Sequence, residues 1–421
     1  MSVIQWIRKR SSTQKAVAIT VFAVVIRLLF LYLFPRFGGG DFLDSTRYLR
    51  VVYNILRGRG FAEYIRPTAF APPLFAYFIA LVFKIFGQHI LIFKVIQAVL
   101  GGITCYLVYR MGALLFSPKV GQIASLITAL HPELIVLTGF LYTETLYIFL
   151  LSVAFFFFIK AFLRKKKWSL WLLAGFFLGL NILTRHVLLL FPLWLLFIVL
   201  LRRSARSYFK YVFVCMLMCY AVVTPWIVRN YLIFDRFIPV ASGFGGSVWI
   251  GSNLSDEGLH QNDSRQKAWN ASKQAADDME RDDILLEKAV RNVMKHPFDY
   301  GWIVLKKLGR YYLDVYEYVP NGNDEQKNWL LFSVLALCYY PLFALAVTGI
   351  FLARKKWIYC IPLWGLLVYT GLVYSFTIVV PRYRIPLLPF FFVYAAYAIG
   401  SLSDRKIRSE KKESDSGPVE S

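Results

Sequence analysis

The sequence has few of the residues that build disulfide frameworks or metal sites. It holds five cysteines and five histidines in 421 residues. Each cysteine lies inside an apolar block, and none belongs to a Cys-x-x-Cys pair or a Cys/His cluster; they are Cys105, Cys215, Cys219, Cys338 and Cys360. Cysteines in such surroundings usually act as small apolar residues that pack against their neighbours. The pattern therefore predicts neither a disulfide framework nor a zinc site.

Acidic residues are also scarce, with 25 Asp and Glu against 48 Lys and Arg and a formal net charge of +23. In a soluble chain this excess would indicate a nucleic-acid partner. Here the basic residues cluster at the ends of apolar blocks, as they do in the cytoplasmic loops of membrane proteins. We therefore predict no nucleic-acid partner.

Motifs for nucleotide binding and for nucleophilic catalysis are missing. The glycine-rich run 243–251, which we predict to be a loop, lacks the Gly-Lys-Ser/Thr ending of a P-loop. No segment resembles a nucleophile elbow. His131 and His186 each stand alone, so they indicate no metal centre, and His131 is predicted to be an interfacial histidine with satisfied hydrogen bonds.

Long apolar runs dominate what the sequence does contain. Hydrophobic residues make up 58% of the chain and aromatic residues 18%, and the mean hydropathy is +0.53. The runs are roughly 17–25 residues long, which is the length that crosses about 30 Å of hydrocarbon. We predict an all-α membrane protein of about ten transmembrane helices, near 16–34, 89–109, 119–139, 144–163, 168–184, 187–201, 211–228, 330–352, 357–378 and 385–401.

The basic clusters predict a topology. Basic residues before the first apolar block place the N-terminus in the cytoplasm, and four later clusters are predicted to be cytoplasmic as well. This requires that one block between Pro35 and Lys165 does not cross. The block 72–86 is the shortest and opens with two prolines, so we predict a helix lying along the outer surface, buried on one side. Glu144 then lies on the outer side.

The predicted organisation is one polytopic membrane domain, residues 1–401, with outer loops at 35–88 and 229–328. The second loop is predicted to hold a charged helical patch near 265–295 and an amphipathic segment at 298–313. The charged, serine-rich residues 402–421 are predicted to form a disordered cytoplasmic tail.

Two acids at the outer surface are candidate catalytic residues. Asp44 lies in the first outer loop, where it could equally cap the helix that follows, and the nearby Asp41 could be an ordinary loop acid. Glu144 lies at the outer start of an otherwise apolar helix. The helix dipole favours an acid there, yet an acid at membrane depth is also typical of a functional site.

Several arginines are candidate phosphate ligands, because the guanidinium fork donates paired hydrogen bonds to phosphate. Arg185, Arg382 and Arg384 are predicted at outer helix ends, where interfacial snorkelling is the alternative reading. Arg27 lies inside the first apolar block, so we expect it to face the protein interior and to pair with an acid or an anion.

The order and spacing of these motifs resemble a known family over about 350 residues. The chain resembles bacterial glycosyltransferases of the GT-C fold, in the branch related to protein O-mannosyltransferases and the aminoarabinose transferase of lipid A. The segments that carry the resemblance are Asp44-Ser45-x-x-Tyr48, Asn54-Ile55-Leu56-x-Gly58-x-Gly60-Phe61, Pro67-Thr68-Ala69-x-x-Pro72-Pro73-Leu74, Tyr142-Thr143-Glu144-Thr145-Leu146, Leu183-Thr184-Arg185, Pro225-Trp226-x-x-Arg229-Asn230-Tyr231, Trp249-Ile250-Gly251 and Arg382-Tyr383-Arg384-x-Pro386-Leu387-Leu388-Pro389.

The resemblance implies a polyprenyl-phosphate-linked sugar as donor, used on the outer side of a cell membrane, and it leaves a lipid, a glycan and a protein open as acceptors. It implies that Asp44 is the catalytic acid-base residue, that Glu144 is the second acid, and that the outer arginines hold the donor phosphate. The family's Glu and basic residue before the paired prolines are replaced here by Phe70 and Ala71.

Because of that replacement, the secondary candidates for the site are Asp41, Glu63 and Arg66. The resemblance leaves a divalent metal open as a cofactor. Two other functions use similar features: a transporter or flippase of a lipid-linked saccharide, and a glycan polymerase or ligase. A transporter is disfavoured because its polar helices usually lie at the midplane in repeated halves, and a polymerase because the first-loop motif at Asp44 argues against it.

Overall fold

The computed structural model describes residues 11–35, 43–254, 264–275, 277–315 and 329–415. In these ranges the chain is almost entirely helical, which confirms the all-α prediction. The α-helices are α1 Ser12–Leu33, α2 Leu43–Leu56, α3 Leu74–Phe86, α4 Ile90–Leu115, α5 Pro118–Leu130, α6 Pro132–Val136, α7 Glu144–Leu163, α8 Trp168–Ile182, α9 Phe191–Leu201, α10 Phe209–Phe234, α11 Phe244–Gly251, α12 Ser264–Ala271, α13 Asp278–Lys295, α14 Pro297–Leu313, α15 Trp329–Leu352, α16 Trp357–Phe376 and α17 Leu388–Asp415.

Short elements connect these helices. Strands β1 Ala62–Glu63 and β2 Arg66–Pro67 pair antiparallel, with Ala62 opposite Pro67. In the described ranges there are also five 3-10 helices, at Leu137–Gly139, His186–Leu188, Arg206–Tyr208, Ala353–Lys356 and Pro381–Leu387. The last of these is named the Pro381–Leu387 turn below.

The structure confirms a multi-pass membrane protein. Within the described ranges six segments are long and apolar enough to cross a membrane: Ser12–Leu33, Ile90–Leu115, Glu144–Leu163, Arg206–Phe234, Phe332–Phe376 and Pro381–Ser403. The longest of them contains both α15 and α16. The segments Pro118–Leu130 and Pro132–Gly139 are bent by 60° relative to each other. If this bent pair is counted as one span, there are seven spans. The shorter apolar helices are Leu74–Phe86, Trp168–Ile182 and His186–Leu201, so the predicted total of ten crossings stays a prediction.

The first helix starts earlier than the apolar run itself. Ser11 forms a capping box, in which its Oγ accepts a hydrogen bond from the Gln14 amide at 3.2 Å and its own amide donates to Gln14 Oε1 at 3.1 Å. Such reciprocal bonds satisfy two donors at a helix N-terminus. They therefore extend α1 to Ser12, four residues before the predicted start.

Helix α3 is the helix predicted to lie along the outer surface. Phe75, Ile79 and Phe83 are buried on one side, while Tyr77 and Leu81 on the other side are exposed. The buried side packs with α2 and α4 in a small apolar cluster that includes Tyr48 and Phe93. This burial on one side is as predicted, and the location of α3 along the outer surface stays a prediction.

The larger core lies around α7, which is buried on most of its circumference. Its phenylalanines pack against α8, α16 and α17, and Phe155 contacts the rings of both Phe191 and Phe390. A helix that is apolar all round needs this central position. The packing fixes the first turn of α7, and therefore Glu144, relative to the surrounding helices.

Helix α10 is longer than predicted. We expected it to end at residue 228, but it continues to Phe234 through Arg229. The Arg229 side chain donates to the carbonyls of Phe61 and Thr68, each at 2.9 Å. These contacts give the Arg229 guanidinium hydrogen-bond partners beside the first loop. The charge of Arg229 therefore does not require the helix to end at residue 228.

The glycine-rich run predicted to be a loop forms α11 instead. Gly243 has a φ of +94°, a left-handed conformation that glycine adopts without strain, and the helix begins at the next residue. At the other end, a Cβ on Gly251 would lie 1.6 Å from the carbonyl oxygen of Thr377. The glycines therefore allow α11 to pack directly on the end of α16.

The predicted tail is partly helical. Helix α17 continues to Asp415, well into the segment 402–421 that we predicted to be disordered, and residues 416–421 lie outside the described part. The predicted charged patch near 265–295 corresponds to α12 and α13, and the predicted amphipathic segment 298–313 corresponds to α14.

Candidate active site

A cavity of about 430 Å³ lies between α2, the first turn of α7, α11, the end of α16 and the Pro381–Leu387 turn. Three residues predicted from the sequence line it together: Glu144, Arg185 and Arg382. They come from segments that are far apart in the chain. Five tyrosines also line the cavity: Tyr48, Tyr142, Tyr369, Tyr374 and Tyr383.

Glu144 is the centre of this arrangement. Its side chain is 1% exposed, and its Oε1 lies 3.2 Å from Arg185 Nη1 and 3.0 Å from Arg382 Nε. The Thr143 hydroxyl donates to Oε2 at 3.3 Å. A buried carboxylate is stable only when paired, and its place in the first turn of α7 adds the favourable field of the helix N-terminus.

The charges of this group do not cancel. Two guanidinium groups surround one carboxylate, so the three side chains carry a net charge of +1 at the cavity wall. Guanidinium groups in partly desolvated surroundings bind phosphate and carboxylate anions through charge-assisted hydrogen bonds. The group of Glu144, Arg185 and Arg382 is therefore complementary to an anion.

Aromatic rings fix the planes of both arginines. The Arg382 guanidinium lies 4.5 Å from the centroid of the Tyr142 ring, and that of Arg185 lies 4.9 Å from the Tyr383 ring. Tyr383 in turn stacks on Tyr374, with ring centroids 4.8 Å apart. Stacking of this kind stabilises the cations and limits their rotamers before any ligand binds.

The two arginines of the Pro381–Leu387 turn point in different directions. Arg382 lines the cavity, whereas the Arg384 side chain is 0% exposed and lies 3.6 Å from Glu133. Arg384 also donates to the carbonyl of Asp314, and its guanidinium lies 3.7 Å from the Tyr339 ring centroid. Arg384 thus does not line the cavity, although the sequence suggested that both arginines bind phosphate.

Arg27 also lies away from the cavity lining. It faces the protein interior as expected and is 1% exposed. Its partners are main-chain carbonyls rather than an acid, with Nη1 at 2.9 Å from Ala23 O and 3.4 Å from Ala129 O, and Nη2 at 3.4 Å from Thr128 O. These bonds give both terminal nitrogens of the cation partners within the protein.

The first-loop candidates are only partly described. Asp41 and the side chain of Asp44 lie outside the described part, while the backbone of Asp44 is in the first turn of α2. Arg47 and Tyr48, three and four residues further along α2, both line the cavity. Residues at these spacings share one face of a helix.

The secondary candidates lie beside this helix. Glu63 in β1 pairs with Arg47 at 2.7 Å and with Arg50 at 3.3 Å, so it holds Arg47 against the cavity rim. The Arg47 guanidinium also lies 4.1 Å from the Phe70 ring centroid. Arg66 in β2 is exposed and does not line the cavity.

Sequence reasoning missed Arg47 and Glu133. Arg47 follows Asp44 at a helical spacing of three, which is a usable signal. Glu133 is an acid inside a predicted span, next to His131 and Pro132, and acids at such positions are typical of functional or paired sites. His131 is buried, but neither ring nitrogen has a hydrogen-bond partner among the described residues, so its predicted hydrogen bonds are not formed there.

The described residues do not offer a metal site. No three His, Cys, Asp or Glu side chains in those ranges lie close enough together to hold an ion. Glu144, the carboxylate in the cavity wall, is already paired with two arginines. We therefore assign no chemical step to a metal.

Comparison with known proteins agrees with the resemblance seen in the sequence. Residues 71–228 match the dolichyl-phosphate-mannose-protein mannosyltransferase family. No curated protein matches the chain. The family match covers α3 to most of α10 and includes Glu144 and Arg185, which line the cavity.

Solved structures share the fold. The oligosaccharyltransferase AglB of the archaeon Archaeoglobus fulgidus, in complex with an inhibitory peptide and a dolichol-phosphate, is 15% identical with a TM-score of 0.56, over 99% of this chain and 53% of that chain. The apo form of the oligosaccharyltransferase from that organism is 16% identical with a TM-score of 0.57, over 99% of this chain and 53% of that one. ArnT from Cupriavidus metallidurans, bound to undecaprenyl phosphate, is 12% identical with a TM-score of 0.47, over 93% of this chain and 79% of that chain.

The fold is therefore that of the GT-C class of membrane glycosyltransferases, as the sequence predicted. The chain spans about half the length of the oligosaccharyltransferases that it matches. Within the GT-C class, the sequence of residues 71–228 resembles the dolichyl-phosphate-mannose-protein mannosyltransferases.

Proposed function

We propose that this protein transfers a sugar from a polyprenyl-phosphate carrier to an acceptor on the outer face of a cell membrane. The observation that carries the proposal is Glu144, held between Arg185 and Arg382 in the wall of the 430 Å³ cavity. Its net positive charge is complementary to the phosphate that links sugar and lipid. The GT-C fold, and the dolichol-phosphate bound to the oligosaccharyltransferase that shares it, support this choice.

The cavity suits one sugar and one phosphate. Its volume lies in the range of about 300–1,000 Å³ that is usual for small-ligand sites, and its lining combines tyrosines with few charged groups. Leu189, Leu190 and Val373 form an apolar part of the wall, next to the arginines, that suits the first units of a lipid chain. Three cationic side chains line this cavity: Arg47, Arg185 and Arg382.

The reaction we propose is a single displacement at the anomeric carbon. An acceptor hydroxyl attacks C1 from the face opposite the phosphate, the bond from C1 to the acceptor oxygen forms, and the bond from C1 to the phosphate oxygen breaks with inversion. Asp44 takes the hydroxyl proton, a role that typically contributes about 10²–10⁴-fold. Polyprenyl phosphate leaves, and Arg185 and Arg382 stabilise its growing charge.

Glu144 has a different role in this proposal. Its carboxylate already contacts both arginines and the Thr143 hydroxyl, so it orients the cations rather than accepting the proton. Asp44 is supported as the base by its place on α2, one turn before Arg47 and Tyr48, which line the cavity.

The orientation in the membrane is part of the proposal. Basic clusters at Arg164–Lys167, Arg202–Lys210 and Arg354–Lys356 favour the cytoplasm for those turns and for both termini. The cavity lies at the opposite end of α7 from the first of these clusters. We therefore propose that the site faces the outer side.

The test is a single-turnover assay on the purified full-length protein. A panel of polyprenyl-phosphate sugars is incubated with acceptor candidates, and the release of polyprenyl phosphate is measured for the wild type, for Asp44→Asn and for Asp235→Asn. Asp235 is a matched control, because it is exposed at the end of α10 in a left-handed conformation that Asn tolerates. We expect release by the wild type and by Asp235→Asn, and a loss of at least 100-fold in Asp44→Asn.

Near-normal release by Asp44→Asn would refute the assignment of the base. If no donor is cleaved, but vesicles containing the protein move lipid-linked sugar across the bilayer, the transporter alternative replaces the transferase.

A further inference from the structure

A second cavity, of about 260 Å³, lies at the other end of α16 from the candidate active site. Its lining is mostly aromatic and apolar: Ile350, Phe351, Ala353, Arg354, Trp357, Cys360, Trp364 and Tyr394. The twenty residues of α16 span about 30 Å at 1.5 Å per residue. Tyr374, near the far end of that helix, lines the first cavity, so the two cavities are separate sites.

One polar group in the wall of this cavity has only a weak partner. The Tyr394 side chain is 1% exposed, and its hydroxyl has no oxygen or nitrogen partner in the described part of the protein. It lies beside the thiol of Cys360, which also lines the cavity and is at most a weak acceptor. Buried hydroxyls usually pair with a stronger acceptor than a thiol, so this hydroxyl is available to donate to an acceptor oxygen of a ligand in the cavity.

The rim of the cavity is basic. Arg354 is exposed at the mouth, and among the described residues its guanidinium forms no ion pair or side-chain hydrogen bond. Its neighbour Lys356 is already engaged, because its Nζ donates to the carbonyl of Leu115 at 2.9 Å. The Arg202 guanidinium lies 5.5 Å from the Trp357 ring centroid and adds to the positive potential.

The position of these groups at the end of two apolar helices is that expected where a membrane changes from headgroup to hydrocarbon. The Ala353–Lys356 turn joins two apolar helices within one long candidate span, and Phe351 next to it is exposed. Tryptophan and arginine are typical of this interface. Basic pockets between transmembrane helices on the cytoplasmic side bind anionic lipid headgroups.

We propose that this cavity binds an anionic phospholipid of the cytoplasmic leaflet. Its phosphate pairs with Arg354, the first part of one acyl chain lies among Trp357, Trp364 and Phe351, and an ester oxygen accepts the hydrogen bond of Tyr394. The cavity of about 260 Å³ is smaller than the range of about 300–1,000 Å³ that is usual for small-ligand sites, so it has room for part of one chain and not for a whole lipid. The inference rests on the proposed orientation and not on the proposed reaction.

The experiment is lipid binding by the purified full-length protein, measured by native mass spectrometry after detergent exchange. The probes are phosphatidylglycerol, phosphatidylcholine and undecaprenyl phosphate, each added alone and in competition. The variants are Arg354→Gln, Tyr394→Phe and the matched control Lys355→Gln, which lies in the same turn, is exposed and does not line the cavity. Cys360→Phe, which fills the cavity, serves as a second variant.

We expect the wild type to retain phosphatidylglycerol at least fivefold better than phosphatidylcholine. Arg354→Gln and Cys360→Phe should lose this preference, Tyr394→Phe should weaken retention, and Lys355→Gln should keep it. If Arg354→Gln and Lys355→Gln lost the preference for phosphatidylglycerol equally, the preference would come from general attraction to a basic surface. That result would overturn the proposal.

Two other outcomes would also overturn it. Equal retention of phosphatidylcholine would show that Arg354 does not select the headgroup. Displacement of phosphatidylglycerol by undecaprenyl phosphate, dependent on Arg354, would assign the cavity to the carrier lipid instead. Because no outcome depends on sugar transfer, failure here is distinct from failure of the proposed reaction.

Discussion

At the scale of single residues, neighbours decide which arginines can bind a ligand. Arg27 and Arg384 are buried and bonded to carbonyls or to Glu133, whereas Arg185 and Arg382 share Glu144 and line a cavity. Arg27 and Arg384 are thus held by groups of the protein away from the cavity, where they do not meet its contents. Charge at a helix end therefore did not separate the arginines that line the cavity from those that do not, and their local partners did.

Arg382 carries the first prediction. Arg382→Ala removes one of the two cations beside Glu144, and hydrogen bonds to charged groups are worth about 1.5–3 kcal/mol each. We expect KM for the donor to rise roughly 10- to 100-fold, since 1.4 kcal/mol is a factor of ten. The assay is steady-state release of polyprenyl phosphate at varied donor concentration.

Arg236→Ala is the control for this change. Arg236 is exposed and pairs with Asp283 on the protein surface, away from the cavity lining, so its loss should leave KM unchanged. An unchanged KM in Arg382→Ala would remove Arg382 from the proposed phosphate site.

Lys307 gives a prediction about pH. Its side chain is buried in α14 and donates to the carbonyls of Gly251 at 2.7 Å and Thr377 at 2.9 Å. Burial lowers the pKa of Lys307 from 10.5 to about 8. Between these values the unfolded chain binds more protons than the folded one, so stability rises with pH over this window.

We therefore expect the free energy of unfolding to gain on the order of 3 kcal/mol from this group between pH 8 and pH 10.5. The measurement is thermal unfolding of the purified protein at several pH values, for the wild type and Lys307→Met. The pH-dependent gain should be absent from Lys307→Met and present in the exposed neighbour variant Lys306→Met. The same slope in all three proteins would contradict the assignment.

At the scale of elements, the Pro381–Leu387 turn links the cavity to the interior. Its Arg384 is fixed by Glu133 of α6, by the carbonyl of Asp314 after α14 and by Tyr339 of α15. Two residues earlier, the same turn presents Arg382 to the cavity. We therefore predict that the buried pair of Glu133 and Arg384 positions Arg382.

A double replacement tests this role of the turn. Removing one member of a buried ion pair costs about 3–5 kcal/mol, whereas replacing both with apolar residues of similar size is often neutral. We expect Glu133→Leu combined with Arg384→Met to keep the thermal midpoint of unfolding. KM for the donor should rise roughly tenfold or more, with a smaller change in kcat, because the loss is one of ground-state binding.

The exposed i,i+4 pair of Glu287 and Arg291, at 2.7 Å, provides the control for this experiment. Its double replacement with apolar residues should change neither the midpoint nor KM. A stable Glu133→Leu/Arg384→Met protein with wild-type KM would show that the pair serves only the fold.

At the scale of the whole molecule, the long apolar runs predicted the helical membrane architecture because span length is a local property of sequence. Contacts between distant segments were not predictable in this way. Arg229 extends α10 by bonding to carbonyls of the first loop, and Gly251 lets α11 pack on the end of α16. Likewise, only the packed structure shows that Arg382 and Arg384 diverge from one turn.

The orientation of the whole molecule is the last prediction. If the cavity faces outward, Lys273 in the loop after α12 lies outside the cell and Lys166 before α8 lies in the cytoplasm. Both side chains are exposed. Single cysteines at these positions, in a Cys338→Ser background, would be probed with a membrane-impermeant thiol reagent; the other four native cysteines are buried.

In intact cells we expect Lys273→Cys to be labelled and Lys166→Cys to be protected, while both should be labelled after lysis. The reverse pattern would place the cavity on the cytoplasmic side, because Glu144 and Lys166 flank opposite ends of α7. A cytoplasmic cavity would contradict the positive-inside distribution on which the proposed orientation depends. It would also put the second cavity on the outer leaflet and so remove the basis for the phospholipid site at Arg354.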